Sequence, residues 1–161
     1  MQSTMPIGAE EFLGGRFIAS LGTLNEDGSV HLTAVWYLFD AGCLYVATSS
    51  RSRKARNAIA RPRATLMMDI RKPASEHGFV ATCKVEVLAG EGSKQLNARI
   101  HGRYMSKAAL ADSRAGGTMA AMDDITLKLT PTGWYGWDMR VLDEAVFGGA
   151  MKTPGYLLPL D

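Results

Sequence analysis

The chain contains only two cysteines and three histidines among its 161 residues. Cys43 and Cys83 belong to no CxxC pair and fall in apolar, strand-like runs, so we expect buried free thiols rather than a disulfide or a zinc site. His31, His77 and His101 lack spacings typical of metal ligands, such as HxxxH. The sequence therefore does not support a metal centre.

Long apolar runs and a strong excess of charge are also absent. No run approaches the roughly 20 apolar residues that cross a bilayer, and the N-terminal MQSTMPIGAEEF resembles no secretory signal. The net charge of +2 is too small to indicate a nucleic-acid partner. Because hydrophobic residues make up 47% of the chain, a packed core is expected. We expect a single cytoplasmic domain over residues 1–161, with neither a membrane nor a nucleic acid as partner.

Short β-type segments separated by turn signals dominate the sequence. Strands are predicted over residues 17–24, 30–39, 43–48, 63–70, 79–89, 125–130 and 134–138, the first three as an antiparallel meander and the last two joined by a turn at 131–133. Helices are predicted over residues 9–13, 52–61 and 93–111, the last with an apolar stripe. A parallel sheet would need a helix between most strands, so this order indicates a mainly β (α+β) fold, a six- to seven-stranded antiparallel barrel.

A basic segment leads from the third predicted strand into the helix at 52–61. Six cations lie between residues 51 and 63 with no acidic residue among them: Arg51, Arg53, Lys54, Arg56, Arg61 and Arg63. Backbone N–H groups at a helix start and cationic side chains can converge on a phosphate. A charge run taken alone favours a solvated helix face, but its position between two barrel strands favours a phosphate site.

Residues 17–138 resemble the FMN-binding split-barrel superfamily, the pyridoxamine 5'-phosphate oxidase-like proteins. The similarity lies in the order of four motifs: VHLTAVWYLFD, CLYVATSS, SRSRKARNAIARPRATLMMD and ITLKLTPTGWYGWD. The resemblance implies a split β-barrel with its core at about 17–138 and a C-terminal tail at 139–161. It also implies a homodimer that holds the cofactor, FMN or its relative F420, at the subunit interface.

The resemblance further implies a set of cofactor-binding residues. The phosphate would be held by Ser52, Arg53 and Lys54, with Arg56 and Asn57 as outer members. The ring would lie along the second and third strands, at Thr33, Ala34, Val35, Trp36, Ala47 and Thr48, where Trp134 or Trp137 of the partner subunit could cover it. No catalytic side chain is implied, because hydride or electron transfer belongs to the flavin.

Departures from the pyridoxamine phosphate oxidases bear on substrate and cofactor. His31 and Trp36 stand where those enzymes carry Arg and Lys, and the C-terminal GYLLPLD is not basic, which argues against pyridoxamine phosphate as the substrate. Trp36 in TAVWYLFDAG is similar to the branch of the superfamily that uses the deazaflavin F420. FMN and F420 share the ring, ribityl chain and first phosphate, so the site suits either, and Arg51 and Arg61 could meet the acidic tail of F420.

These observations predict an FMN- or F420-dependent oxidoreductase acting on a small organic molecule whose identity stays open. A non-catalytic flavin or haem carrier on the same barrel is one alternative. A basic nucleic-acid-binding module is the other, although the cations are confined to one helix with no interleaved aromatic residues.

Overall fold

The computed structural model describes residues 3–159, in which seven strands form one antiparallel sheet. The strands are β1 (Ala19–Leu24), β2 (Val30–Val35), β3 (Leu38–Asp40), β4 (Cys43–Thr48), β5 (Arg63–Ile70), β6 (His77–Ala89) and β7 (Ile125–Asp138). Their order across the sheet is β2-β1-β5-β6-β7-β4-β3. Every neighbouring pair in this order is antiparallel, as the sequence predicts.

The sheet curls so that its two edges approach each other. β2 and β3 are the edge strands, yet only Trp36 and Tyr37 separate them in the chain. The three peptide steps from Val35 to Leu38 cover at most about 11 Å. The facing ends of the two edges are therefore close, although no ladder joins β2 to β3 within residues 3–159. This arrangement confirms the predicted split barrel.

Residues 3–159 also form six short helices. They are α1 (Ala9–Leu13), α2 (Arg53–Ala60), α3 (Glu91–Tyr104), α4 (Lys107–Ala111), α5 (Thr118–Met122) and α6 (Met139–Leu142). One π-helical turn, Ser113–Gly117, lies between α4 and α5. A second, Asp143–Phe147, and a 3-10 turn, Ala150–Lys152, come after α6. Within the described part of the chain, no helix has the length and apolar character needed to span a membrane.

The strand predicted over residues 30–39 is two strands, so the two antiparallel pairings of the predicted meander are present but do not share one continuous strand. The chain bends at Trp36 and Tyr37, where the Tyr37 side chain enters the core. Its hydroxyl donates to Leu13 O, at 3.2 Å. As a result β2 pairs with β1 whereas β3 pairs with β4, at the opposite edge of the sheet.

The helix predicted over residues 93–111 and the turn predicted at 131–133 also differ in the structure. Met105 leaves the helical conformation, and Ser106 caps a separate helix α4 by accepting the Ala109 N–H at 3.2 Å. The turn is a β-bulge inside one long strand, β7.

The second half of β7 is a free edge of the sheet. β4 pairs with β7 only as far as Leu129, and Pro131 has no N–H to continue that ladder. Beyond this point, within residues 3–159, β7 pairs with β6 alone, up to Asp138. One side of β7 is therefore unpaired along residues 130–138.

Candidate functional site

Ser52 shapes the loop that joins β4 to α2. Its Oγ accepts the Ala55 N–H at 3.2 Å and lies 3.1 Å from Thr48 Oγ1. Its own N–H donates to Ser49 O at 2.9 Å, and its carbonyl accepts the Arg56 N–H at 3.1 Å. The polar groups of Ser52 are thus engaged in capping the helix, as its N-cap position favours.

Two backbone N–H groups at the start of α2 remain free. Helix starts leave four N–H groups without partners inside the helix. Here the N–H groups of Ser52 and Ala55 are satisfied, whereas those of Arg53 and Lys54 have no acceptor among residues 3–159. The side chains of Arg53 and Lys54 also form no ion pair within that range. Two free N–H groups and two cations in one helical turn suit an anion.

The two cations of this turn have different surroundings. Arg53 shares a surface cleft of 490 Å³ with Asn25, Glu26 and Asp27 of the β1–β2 turn. The pKa of Asp27 is lowered, mainly by hydrogen bonds from Ser29 and to a smaller extent by the Arg53 charge. Lys54 has no carboxylate partner among the described residues. Lys54 is therefore the better placed of the two to meet an incoming anion.

Asp124, immediately before β7, binds Ser50 in the same loop. Its Oδ1 accepts the Ser50 N–H and its Oδ2 accepts the Ser50 hydroxyl, both at 2.6 Å. These hydrogen bonds lower the pKa of Asp124. Sequence reasoning missed this contact because the two residues are 74 positions apart and no local pattern connects them.

A buried polar network under α3 fixes the position of Asp124. Asn97 Nδ2 donates to Asp123 O at 2.8 Å and to Ile125 O at 3.1 Å. His101 Nε2 lies 2.9 Å from Asp123 Oδ2. α3 thus meets the barrel partly through polar side chains, whereas the sequence predicted an apolar stripe. The network holds the first residues of β7, and through them the loop that leads into α2.

The predicted outer members of the phosphate site have contacts of their own. The Arg56 guanidinium donates from Nη1 to Arg51 O at 2.6 Å. Asn57 is only 6% exposed, and its Nδ2 donates to Thr23 Oγ1 at 3.2 Å and to Asn25 Oδ1 at 3.0 Å. Asn57 therefore ties α2 to the end of β1, which is a structural role.

The residues predicted to meet the ring lie on two strands that are not neighbours in the sheet. β2 pairs with β1, whereas β4 pairs with β7 and β3. Val35 and Thr48 are buried, so their side chains belong to the core. Ala34 is exposed, and Thr33 and Ala47 are half-buried. A ring lying along these strands would meet Val35 and Thr48 through the backbone only.

Trp36, at the bend after β2, is held in a fixed orientation. Its ring stacks on Tyr104, with centroids 5.1 Å apart and planes 1° from parallel. The Tyr104 hydroxyl donates to Phe17 O at 2.9 Å and accepts the Tyr37 N–H at 3.4 Å. Trp36 is half-buried, so part of its surface stays accessible to a ligand.

The two tryptophans considered as ring covers differ in burial. Trp134 is 3% exposed and packs in the core, so little of its ring is available to cover a ligand. Trp137 is half-buried and stacks on Tyr135, with centroids 6.4 Å apart. Thr48 pairs with Ile125 at the first residue of β7, whereas Trp137 lies near the opposite end of that strand. Within one chain, Trp137 is therefore separated from the start of α2.

Comparison with solved structures finds the same fold. A conserved hypothetical protein from Mycobacterium tuberculosis is 20% identical, with a TM-score of 0.73 and coverage of 100% of this chain and 98% of that one. An F420 reductase is 18% identical, with a TM-score of 0.62 and coverage of 81% and 98%. The heme storage protein HutZ from Vibrio cholerae is 17% identical, with a TM-score of 0.62 and coverage of 84% and 94%.

Comparison by sequence gives the family. No curated protein matches the chain significantly. The profile of the family described as pyridoxamine 5'-phosphate oxidase matches residues 5–138. This range contains all seven strands, the loop before α2 and the free edge of β7. The chain is therefore a member of the pyridoxamine 5'-phosphate oxidase family.

Proposed function

We propose that this protein is an oxidoreductase that uses FMN or F420 and acts on a small organic substrate. The observation that carries the proposal is the pair of free N–H groups of Arg53 and Lys54 beside their own cationic side chains. A phosphate at this position would accept hydrogen bonds from both N–H groups and both side chains. Membership of the family and the similarity to an F420 reductase support the assignment.

The other predicted residues have supporting roles in this proposal. Ser52 and Thr48 fix the helix start on which the phosphate would lie. The ring would lie beside Trp36, against the backbone of β2 and β4. When bound, it supplies the hydride or electron chemistry, and the protein supplies orientation and hydrogen-bond donors. No side chain is assigned as a proton donor.

The two arginines considered for the acidic tail of F420 are not equivalent. Arg61 Nε donates to Leu24 O at 3.0 Å, so its side chain is engaged in holding the end of β1. The Arg51 guanidinium is exposed and forms no hydrogen bond or ion pair within residues 3–159. Of the two, Arg51 is therefore the candidate for contact with a tail.

Titration of the purified protein with FMN and with F420, each followed by cofactor fluorescence, tests the proposal. We expect one of them to bind with a dissociation constant in the low micromolar range or below. Reduction of the bound cofactor by NADH, by NADPH or by an F420-reducing system would then support an oxidoreductase. A cofactor that binds but is never reduced would indicate a carrier. Binding of neither below the high micromolar range would overturn the proposal.

We further propose a homodimer formed through the outer face of β1 and β2. Val30 and Leu32 on β2 are 63% and 66% exposed, and the register places them beside Leu24 and Gly22 on β1. An apolar strip of this kind is typical of an interaction surface. In such a dimer, Trp137 of a second copy could approach the start of α2.

Leu32→Glu is expected to dissociate this dimer. In a two-fold symmetric interface the substitution buries two unpaired carboxylates, so we expect the dissociation constant to rise at least about a hundredfold. Sedimentation velocity over a range of concentrations measures the change. Leu158→Glu is the control, because Leu158 is 84% exposed and belongs to neither of these strands. A wild-type protein that is monomeric at all concentrations would contradict the dimer.

A further inference from the structure

A cleft of 1290 Å³ lies between the N-terminal segment and the free edge of β7. Small-molecule sites are commonly about 300–1,000 Å³, so this cleft has room for a molecule of several rings. Much of its wall is aromatic: Phe12, Phe17, Phe79, Trp134, Tyr135 and Trp137. The cleft contains none of the residues of the loop and helix start at 49–54.

The rings of the aromatic wall pack against one another and against the backbone. Phe12 stacks on Phe17 with centroids 4.5 Å apart and meets Phe79 edge-on at 5.3 Å. Gly136 lies opposite Phe79, and a Cβ there would be 3.0 Å from the Phe79 ring. The absence of that side chain lets the ring lie against the backbone of β7. These contacts favour a flat, aromatic occupant, because it can add to rings that are held in place.

His77 contributes a hydrogen-bond acceptor to this cleft. His77 lines the cleft, and its Nδ1 lies 2.7 Å from Ser75 O. A carbonyl can only accept, so Nδ1 carries the proton and Nε2 of the neutral ring is an acceptor. Within residues 3–159, Nε2 has no hydrogen-bond partner. A ligand that donates a hydrogen bond would satisfy it.

The remaining charged groups of the cleft disfavour anions. Asp138 accepts two hydrogen bonds from the Arg140 guanidinium, at 2.8 Å and 2.6 Å, and these lower its pKa to about 2. This pair is neutral as a whole. Glu11 also lines the cleft and forms no ion pair within the described residues. The net charge around an occupant is therefore negative.

We propose that this cleft binds a planar aromatic molecule, neutral or cationic, that donates a hydrogen bond to His77 Nε2. That this molecule is the organic substrate rests on the proposed oxidoreductase function, whereas binding itself does not. The cleft would then recognise the substrate class through its aromatic wall and through one acceptor.

Calorimetric titration with three naphthalene probes tests the proposal. 2-Naphthol is flat, neutral and a hydrogen-bond donor, 2-methoxynaphthalene lacks the donor, and 2-naphthoate carries a negative charge. We expect 2-naphthol to bind about three- to tenfold more tightly than 2-methoxynaphthalene, and 2-naphthoate to bind most weakly. His77→Phe keeps a ring at this position and removes the acceptor, so it should abolish the preference for 2-naphthol.

A pair of exposed tyrosines supplies a matched control. Tyr135→Ala removes a wall residue that is 56% exposed, so we expect folded protein and at least about threefold weaker binding of 2-naphthol. Tyr156→Ala removes a tyrosine that is 66% exposed and lies outside the cleft, and should leave binding unchanged. Lys54→Ala should weaken cofactor binding and leave 2-naphthol binding intact. The two measurements therefore test the cofactor site and the aromatic cleft independently. Absence of 2-naphthol binding, or an affinity that neither His77→Phe nor Tyr135→Ala changes, would overturn the proposal.

Discussion

Simultaneous replacement of Arg53 and Lys54 by alanine is expected to weaken cofactor binding at least about a hundredfold. Each side chain can form a charge-assisted hydrogen bond to the phosphate, worth about 1.5 to 3 kcal/mol, and tenfold in affinity corresponds to about 1.4 kcal/mol. Lys54→Ala alone should weaken binding about ten- to a hundredfold, because the backbone N–H groups and the second cation remain. Cofactor fluorescence titrations of the three proteins measure the effect.

The matched control removes two cations that lie outside the predicted phosphate site. Arg63→Ala with Lys72→Ala changes the net charge by the same amount, but Arg63 lies on β5 and Lys72 lies in the loop that follows this strand. We expect a loss of less than about threefold in this variant, through weaker long-range attraction. Equal losses in both double variants would show that general charge, rather than a phosphate site at the helix start, determines the affinity.

Gly78→Ala is expected to lower the free energy of unfolding by about 3 kcal/mol or more. A Cβ at Gly78 would lie 2.4 Å from Met68 O and 2.8 Å from Asp69 Cα. Both are backbone atoms of β5, so the strand itself would have to move away from β6. Urea denaturation followed by circular dichroism measures the change, provided that the slope of the transition is unchanged.

Gly102→Ala is the opposite case and serves as the control for Gly78→Ala. Gly102 lies inside α3, and nothing is within 4 Å of the position of its Cβ. Alanine favours a helix over glycine by up to about 1 kcal/mol, so this variant should be as stable as the parent or more stable. Equal destabilisation of the two variants would contradict the steric explanation.

Local signals in the sequence predicted most of the elements that carry the candidate site. Ser52 before a run of helix-forming residues, and Pro62 after it, predicted the short helix α2 and its cap correctly. Short runs of strand-forming residues between turn and helix signals likewise predicted β4 and β5, with the bounds that the structure shows. These signals act between residues a few positions apart, which is why sequence patterns can detect them.

The features that sequence reasoning missed depend on contacts between distant segments. The bend at Tyr37 follows from burial of its ring against a carbonyl of the N-terminal segment. The clamp of Ser50 by Asp124 requires β7 to lie beside β4. The acceptor at His77 requires Ser75 O, in the loop before β6, to bind Nδ1, and it requires the unpaired part of β7 to form the other wall of the cleft. None of these pairings leaves a periodic pattern in the chain.

The roles of the site residues stay predictions, but the structure has changed their order of importance. Asn57 and Arg61 have structural partners, whereas the backbone N–H and the side chain of Lys54 have no partner among residues 3–159. Arg53 lines a cleft together with the acidic residues of the β1–β2 turn. The experiments above therefore concentrate on one helical turn rather than on the whole basic segment.

The pairing of β4 with β7 has a consequence for the synthesis of the protein. β4 leads directly into the loop before α2. Its two ladder partners are the three-residue strand β3 and the long strand β7, in which Ile125 pairs with Thr48. A nascent chain that has not yet extended past residue 129 lacks this partner and also lacks Asp124, which holds Ser50. The helix start that would receive the phosphate can therefore take its final position only after β7 has been synthesised. Under the proposed function, a chain that still lacks β7 would not yet have the site that holds the cofactor phosphate.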